Sequence, residues 1–78
     1  MKYNYNGRNI TLDDELVEKY EEMNGSKISD SDITCAIQSS KITLNNVTDE
    51  ELSKAVADSM SAEVGIWNNY IYGIWERN

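Results

Sequence analysis

The stretch TDEELSKAVADSMSAEVGIWNNYIYGIWE, residues 48–76, decides the fold. Leu52, Val56, Met60, Val64, Trp67, Ile71 and Ile74 recur at spacings of 4, 4, 4, 3, 4 and 3, and Ala55 and Trp75 extend the stripe. That is the apolar face of one long helix. A rival reading makes the second half a hairpin. Glu63–Trp67 and Tyr70–Trp75 are rich in strand formers on either side of the turn-prone pair Asn68-Asn69. Periodicity is given the greater weight. The expected element is a helix from Thr48 to about residue 76, long or broken near 61–65, where Ser61 and Gly65 weaken it.

The start of that helix has a pattern that recurs twice upstream. An apolar residue precedes a polar cap, and the next apolar residue lies five positions on: Val47-Thr48 to Leu52, Leu12-Asp13 to Val17, and Ile28-Ser29 to Ile33. This is a hydrophobic staple around an N-cap. Thr48 and Glu51 add a capping box. Acids crowd each first turn, where the helix dipole favours negative charge: Asp14 and Glu15, Asp30 and Asp32, Asp49 and Glu50. A first helix is therefore expected over about 13–23, with Leu16, Val17, Tyr20 and Met23 inward and Asn24-Gly25 as its left-handed end. A second, over about 30–39, turns Ile33, Ala36 and Ile37 inward.

Before the helices, Tyr3 and Tyr5 alternate with Lys2, Asn4 and Asn6, and Asn6-Gly7 leads into the β-prone Arg8–Leu12. A hairpin over roughly residues 2–12 follows, and alone it is marginal in water, so it must pack on a helix or a third strand. Lys41–Leu44 is β-prone and is the candidate third strand. The expected fold is thus α+β and helix-dominated, an N-terminal β-hairpin packed against three helices. The 78 residues make a single domain, 1–78.

Composition narrows the function classes. The chain is 40% hydrophobic and 27% charged, as a folded domain is. Net charge is −7, which disfavours direct nucleic-acid binding and anionic membranes and suits a basic protein partner. No apolar run approaches a membrane span, and Met1-Lys2 is followed by a polar stretch unlike a signal peptide. Cys35 is the single cysteine, so a cytoplasmic setting is expected. The Asn-x-Ser/Thr sites at Asn9, Asn24 and Asn46 are read as chance in an asparagine-rich chain.

Catalytic chemistry finds little material. There is no histidine, no glycine-rich phosphate loop and no zinc ligand set. Asp30-Ser31-Asp32 resembles the start of a calcium loop without its glycine and closing glutamate, so a helix first turn explains it better. Cys35 has no base partner and is expected to be a buried small apolar residue. We expect no enzyme activity, no catalytic residues, no metal and no cofactor.

Two features suit binding. Asp14, Glu15, Glu18, Glu21 and Glu22, with Asp13, make the first helix acidic against a single Lys19. Glu15, Glu18 and Glu22 share one helix face, and like charges so placed cost a few tenths of a kcal/mol per pair, roughly. Trp67, Tyr70, Tyr72 and Trp75 gather four aromatics in nine residues, and Trp and Tyr are common interface anchors. Asp14, Glu15, Glu18, Glu21 and Glu22 with the four aromatics are the candidate partner-binding set.

The opening Tyr3-Asn4-Tyr5-Asn6-Gly7-Arg8-Asn9-Ile10, followed by Asp13-Asp14-Glu15-Leu16, resembles the start of small acidic phage and mobile-element proteins of the anti-defence, anti-CRISPR-like type. The resemblance spans roughly the first 25 residues and transfers no functional residue. It implies an inhibitor that occupies a basic nucleic-acid-binding machine, such as a CRISPR effector, in the cytoplasm of a bacterial host. DNA mimicry is a sub-case of that expectation. The alternative is a small structural or regulatory homo-oligomer, a homodimer in the simplest case, pairing through the Leu52–Ile74 stripe.

Overall fold

The computed structural model describes the backbone of residues 1–76 and the side chains of residues 1–66. Its order is β1 (Lys2–Tyr5), β2 (Arg8–Thr11), α1 (Asp14–Asn24), α2 (Asp30–Ser40), a 3-10 turn at Leu44–Asn46, and α3 (Asp49–Glu76). This is the helix-dominated α+β arrangement read from the sequence: one antiparallel hairpin and three helices.

The hairpin closes at Asn6-Gly7, both at positive φ (49° and 78°), the primed two-residue turn that matches strand twist. Register follows from it, with Tyr5 opposite Arg8 and Tyr3 opposite Ile10. The alternation sends Tyr5 and Ile10 into the core. Two strands cannot stand alone, and these lean on helices. Ile10 is fully buried, and the Tyr5 and Thr34 hydroxyls hydrogen-bond at 2.7 Å across to α2.

All three staples close: Leu12, Val17, Ile33 and Leu52 are buried, and Ile28 and Val47 pack against the core. At α3 the Thr48–Glu51 box forms both ways, the Glu51 N–H donating to Thr48 Oγ1 at 3.1 Å and the Thr48 N–H to the Glu51 carboxylate at 3.2 Å. At α2 the Asp32 carboxylate accepts the Ser29 N–H at 2.9 Å. Asp13 occupies the cap position of α1 without a side-chain hydrogen bond. The α1 helix ends at Gly25, φ 73°, whose N–H donates to the Glu21 carbonyl at 2.8 Å.

The core is the meeting of α3 with everything else. Leu52, Val56, Met60 and Val64 form its central rail, flanked by Val17 and Tyr20 from α1 and by Ile33, Ala36 and Ile37 from α2. The rail's last four-residue step ends at Val64, while the helix runs on to Glu76. At 1.5 Å per residue the helix backbone continues for roughly 18 Å past Val64, the last buried residue among the described side chains, and the long dimension of the molecule is 48 Å against 22 and 18 Å across.

Two expectations need correction, the third strand and the burial of Cys35, and of the two forms expected for α3 the long one is found. The third strand near 41–44 does not form. Lys41 turns left-handed at φ 56°, and Leu44–Asn46 curls into a 3-10 turn. The free edge of β2 is already occupied by α3: the Thr11 N–H donates to Ser53 Oγ at 2.9 Å and the Asn9 N–H to Asp49 at 3.3 Å. The α3 helix is not broken near 61–65. Burial of Met60 and Val64 on one face holds its backbone through Ser61 and Gly65. Cys35 is exposed on the outer side of α2, because Ile33, Ala36 and Ile37 take the inward positions.

Gly65 has no steric reason to be glycine, since an added Cβ would meet nothing within 4 Å. Gly65→Ala should therefore stabilise the fold by about 0.5–1 kcal/mol, through reduced unfolded-chain entropy and better helix propensity. Urea denaturation of the two proteins checks this.

Candidate functional site

The acidic side chains of α1 divide on inspection. Glu15, Glu18 and Glu22 are all exposed on one face, as their spacing predicts. Glu15 approaches Lys19 at 3.3 Å, one turn on, and both are more than half exposed, so the pair contributes well under about 1 kcal/mol. Neither Glu18 nor Glu22 makes an ion pair among the described residues. Asp14 is exposed and lies 2.7 Å from the Met1 amino group. Glu21 is different: it is half-buried, and its carboxylate accepts the Ile28 N–H at 3.0 Å. It ties the end of α1 to the start of α2 and is committed to the fold.

Two tyrosines report the field of this surface. Burial raises the Tyr3 hydroxyl pKa, and the nearby charges of Glu21 and Asp14 raise it further. Burial likewise raises that of Tyr20, with Glu63 of α3 adding to the effect and a hydrogen bond to Asn24 opposing it.

The second half of the candidate set adjoins the first. An open groove of about 350 Å³ runs between α1 and α3, lined by Asp13, Glu15, Leu16 and Lys19 on one side and by Ser61, Val64 and Gly65 on the other. Gly65 follows Val64, the last buried residue of α3 among the described side chains. The acidic face and the root of the projecting helix are therefore one continuous surface. The backbone of residues 67–76 is helical, which supports the helix reading over the hairpin. The side chains of Trp67, Tyr70, Tyr72 and Trp75 lie outside the described residues. Of those four, sequence spacing places Trp67 on the line of Leu52, Val56, Met60 and Val64.

No protein-family model, curated protein or solved structure matches the chain.

Among the described residues no helix is long and apolar enough to cross a membrane, and no group of three or more acidic, cysteine or histidine side chains could hold a metal ion. One carboxyl group is distinctly perturbed. The hydrogen bond from Arg8, seconded by that from the Asn9 N–H, holds Asp49 below the usual aspartate range. Arg8 Nε donates to Asp49 at 2.5 Å, while its two terminal nitrogens donate to the Leu44 and Val47 carbonyls, each at 2.6 Å. This node fastens the hairpin to the α3 N-terminus and shapes the 3-10 turn between them. Asp49 is a structural anion, each of its carboxylate oxygens accepting one hydrogen bond from β2.

Sequence reasoning missed this cluster. Arg8 and Asp49 are 41 positions apart, and each has a sufficient local explanation, a strand residue and a first-turn acid. The only available cue was that Arg8 is the one cation within the hairpin's second strand.

Proposed function

We propose that the protein is a non-enzymatic binding module that engages a basic protein through the acidic face of α1 together with the projecting end of α3. The observation that carries this reading is the continuity of the two features across the groove between Glu15 and Gly65. A partner seated there meets Glu15, Glu18 and Glu22 and the root of the aromatic segment at once. Charge brings the partner in quickly, and buried aromatic area holds it.

A nucleic-acid-handling protein is the partner class that fits. Its binding groove is basic by necessity, and a chain of net charge −7 is complementary to it. Occupying that groove would make the protein a stoichiometric inhibitor, of the anti-CRISPR-like type where the target is a CRISPR effector. Exposed carboxylates with no enclosed pocket around them support recognition better than catalysis, since a general acid needs burial to raise its pKa.

The test is affinity capture by the tagged chain from bacterial lysates, strains with CRISPR systems included, at low and high salt. The expected result is one basic nucleic-acid-handling protein, retained at low salt and weakened at high salt. Capture of an acidic protein, or retention indifferent to salt, would overturn the reading.

A further inference from the structure

Two residues of the groove between α1 and α3 are unexplained by the fold. Gly65 is the first. Glycine inside a helix is less favourable than alanine, and here a Cβ would meet nothing within 4 Å. What the missing side chain leaves is bare helix backbone in the groove wall, a surface that a ligand can approach closely. Asp13 is the second. It holds the N-cap position of α1, where an aspartate ordinarily accepts a backbone N–H, yet its side chain makes no cap hydrogen bond. Among the described residues it forms no ion pair either. It too lines the groove.

The rest of the lining says what group belongs there. Half-buried Leu16 and buried Val64 supply apolar surface. Asp13 and Glu15 set two acids against one lysine, Lys19. Lys19 Nζ stands 3.3 Å from the Glu15 carboxylate, so one cation of this chain is already drawn to the groove. That single ammonium serves Glu15 and leaves Asp13 without a partner.

We propose that the groove receives an arginine side chain of the basic partner, its methylenes against Leu16, Val64 and the Gly65 backbone and its guanidinium shared by Asp13 and Glu15. The inference rests on the basic-partner reading above and names the group by which that partner is recognised. Charge complementarity calls for a cation, and the apolar surface calls for one on a long stem. The second unmet acid favours arginine over lysine. A guanidinium is a planar fork of five donors that can serve two carboxylates at once, and it gives up its water more readily than an ammonium does. Lys19 is easily displaced, because an exposed pair such as Lys19–Glu15 is worth little.

Amide-resolved NMR titration with hexa-arginine and hexa-lysine peptides tests this on the wild-type chain, Gly65→Leu and Asp13→Asn. Gly65→Leu keeps every acid and the net charge of −7. It should also fold, since leucine favours helix and its Cβ enters open space, and circular dichroism checks this. With the wild-type chain, hexa-arginine should shift the amides of Leu16 and Ser61 and bind about fivefold more tightly than hexa-lysine, a fork on two carboxylates against a point charge on one. Gly65→Leu should remove that margin and the Leu16 and Ser61 shifts, while those at Glu18 and Glu22 persist. Asp13→Asn should remove the margin with the fold unchanged. Equal affinity of the wild-type chain for the two peptides, or an arginine margin that survives Gly65→Leu, would overturn the arginine site and leave the acidic-face reading standing. No shift anywhere on α1 with either peptide would overturn both.

Discussion

Leu52→Ala should remove a large part of the stability of the fold, the largest loss expected of any single substitution considered. Leu52 is completely buried on the first full turn of α3, where its staple partner Val47 and the β2 residue Ile10 join the same core. Truncating a buried leucine costs about 2–5 kcal/mol, the upper end where the surroundings cannot collapse into the space. Here they are held in place, because Ser53 and Asp49 on either side of Leu52 are hydrogen-bonded to β2. A chain of this length has roughly 4–12 kcal/mol in total, at about 0.05–0.15 kcal/mol per residue. The single change therefore removes a large part of the stability. Thermal unfolding should drop by about 10 °C or more, given roughly 4–8 °C per kcal/mol in domains of this size. A shift of only a few degrees would mean that the hairpin and α3 do not share one core.

Arg8→Ala is the second large effect, about 2–3 kcal/mol, since it removes a half-buried guanidinium bonded to three acceptors and leaves two carbonyls unpaired. Arg8→Lys should not restore it. A lysine ammonium lacks the planar fork that reaches the Leu44 and Val47 carbonyls and Asp49 together. Amide exchange should quicken first in residues 44–48, which Arg8 holds. Asp49 gives the node a pH signature. Its pKa is lowered in the folded state, so its contribution is present above the ordinary aspartate pKa of about 4 and is lost as pH falls through the lower folded value. The stability difference between wild type and Asp49→Asn should accordingly shrink below about pH 4. A difference that stays constant to lower pH would remove Asp49 from the node.

What was legible in the sequence was local. The staples, the Thr48–Glu51 box, the Asn6-Gly7 turn and the Gly25 helix end each depend on residues within five positions, and all appear where their chemistry places them. The α3 stripe was legible because Leu52, Val56, Met60 and Val64 repeat often enough to outweigh the strand-forming residues after Glu63. The third strand was misread because Ile42, Thr43 and Leu44 have strand propensity, but propensity says nothing about whether a sheet edge is vacant. Ser53 and Asp49 had filled that edge from 40 or more positions away. Glu21 was counted as part of a contact face because spacing places it among acids; only the path of the chain toward Ile28 shows its carboxylate committed.

The same distinction applies to the Leu52–Ile74 stripe as a pairing surface. Its first four members, Leu52 to Val64, are spent on the protein's own core. Self-association can use only what lies beyond Val64 or on another side of α3.

Charge reversal on α1 tests whether its acidic face recognises a basic partner. The captured protein is titrated with the wild-type chain and with the combined Glu15→Lys, Glu18→Lys and Glu22→Lys variant. All three side chains are exposed, so the fold should be retained and checked by circular dichroism. Affinity should fall by about 100-fold or more, from three lost attractions and three new repulsions, with a flattened salt dependence. Equal affinity of the two chains for the same partner would contradict it.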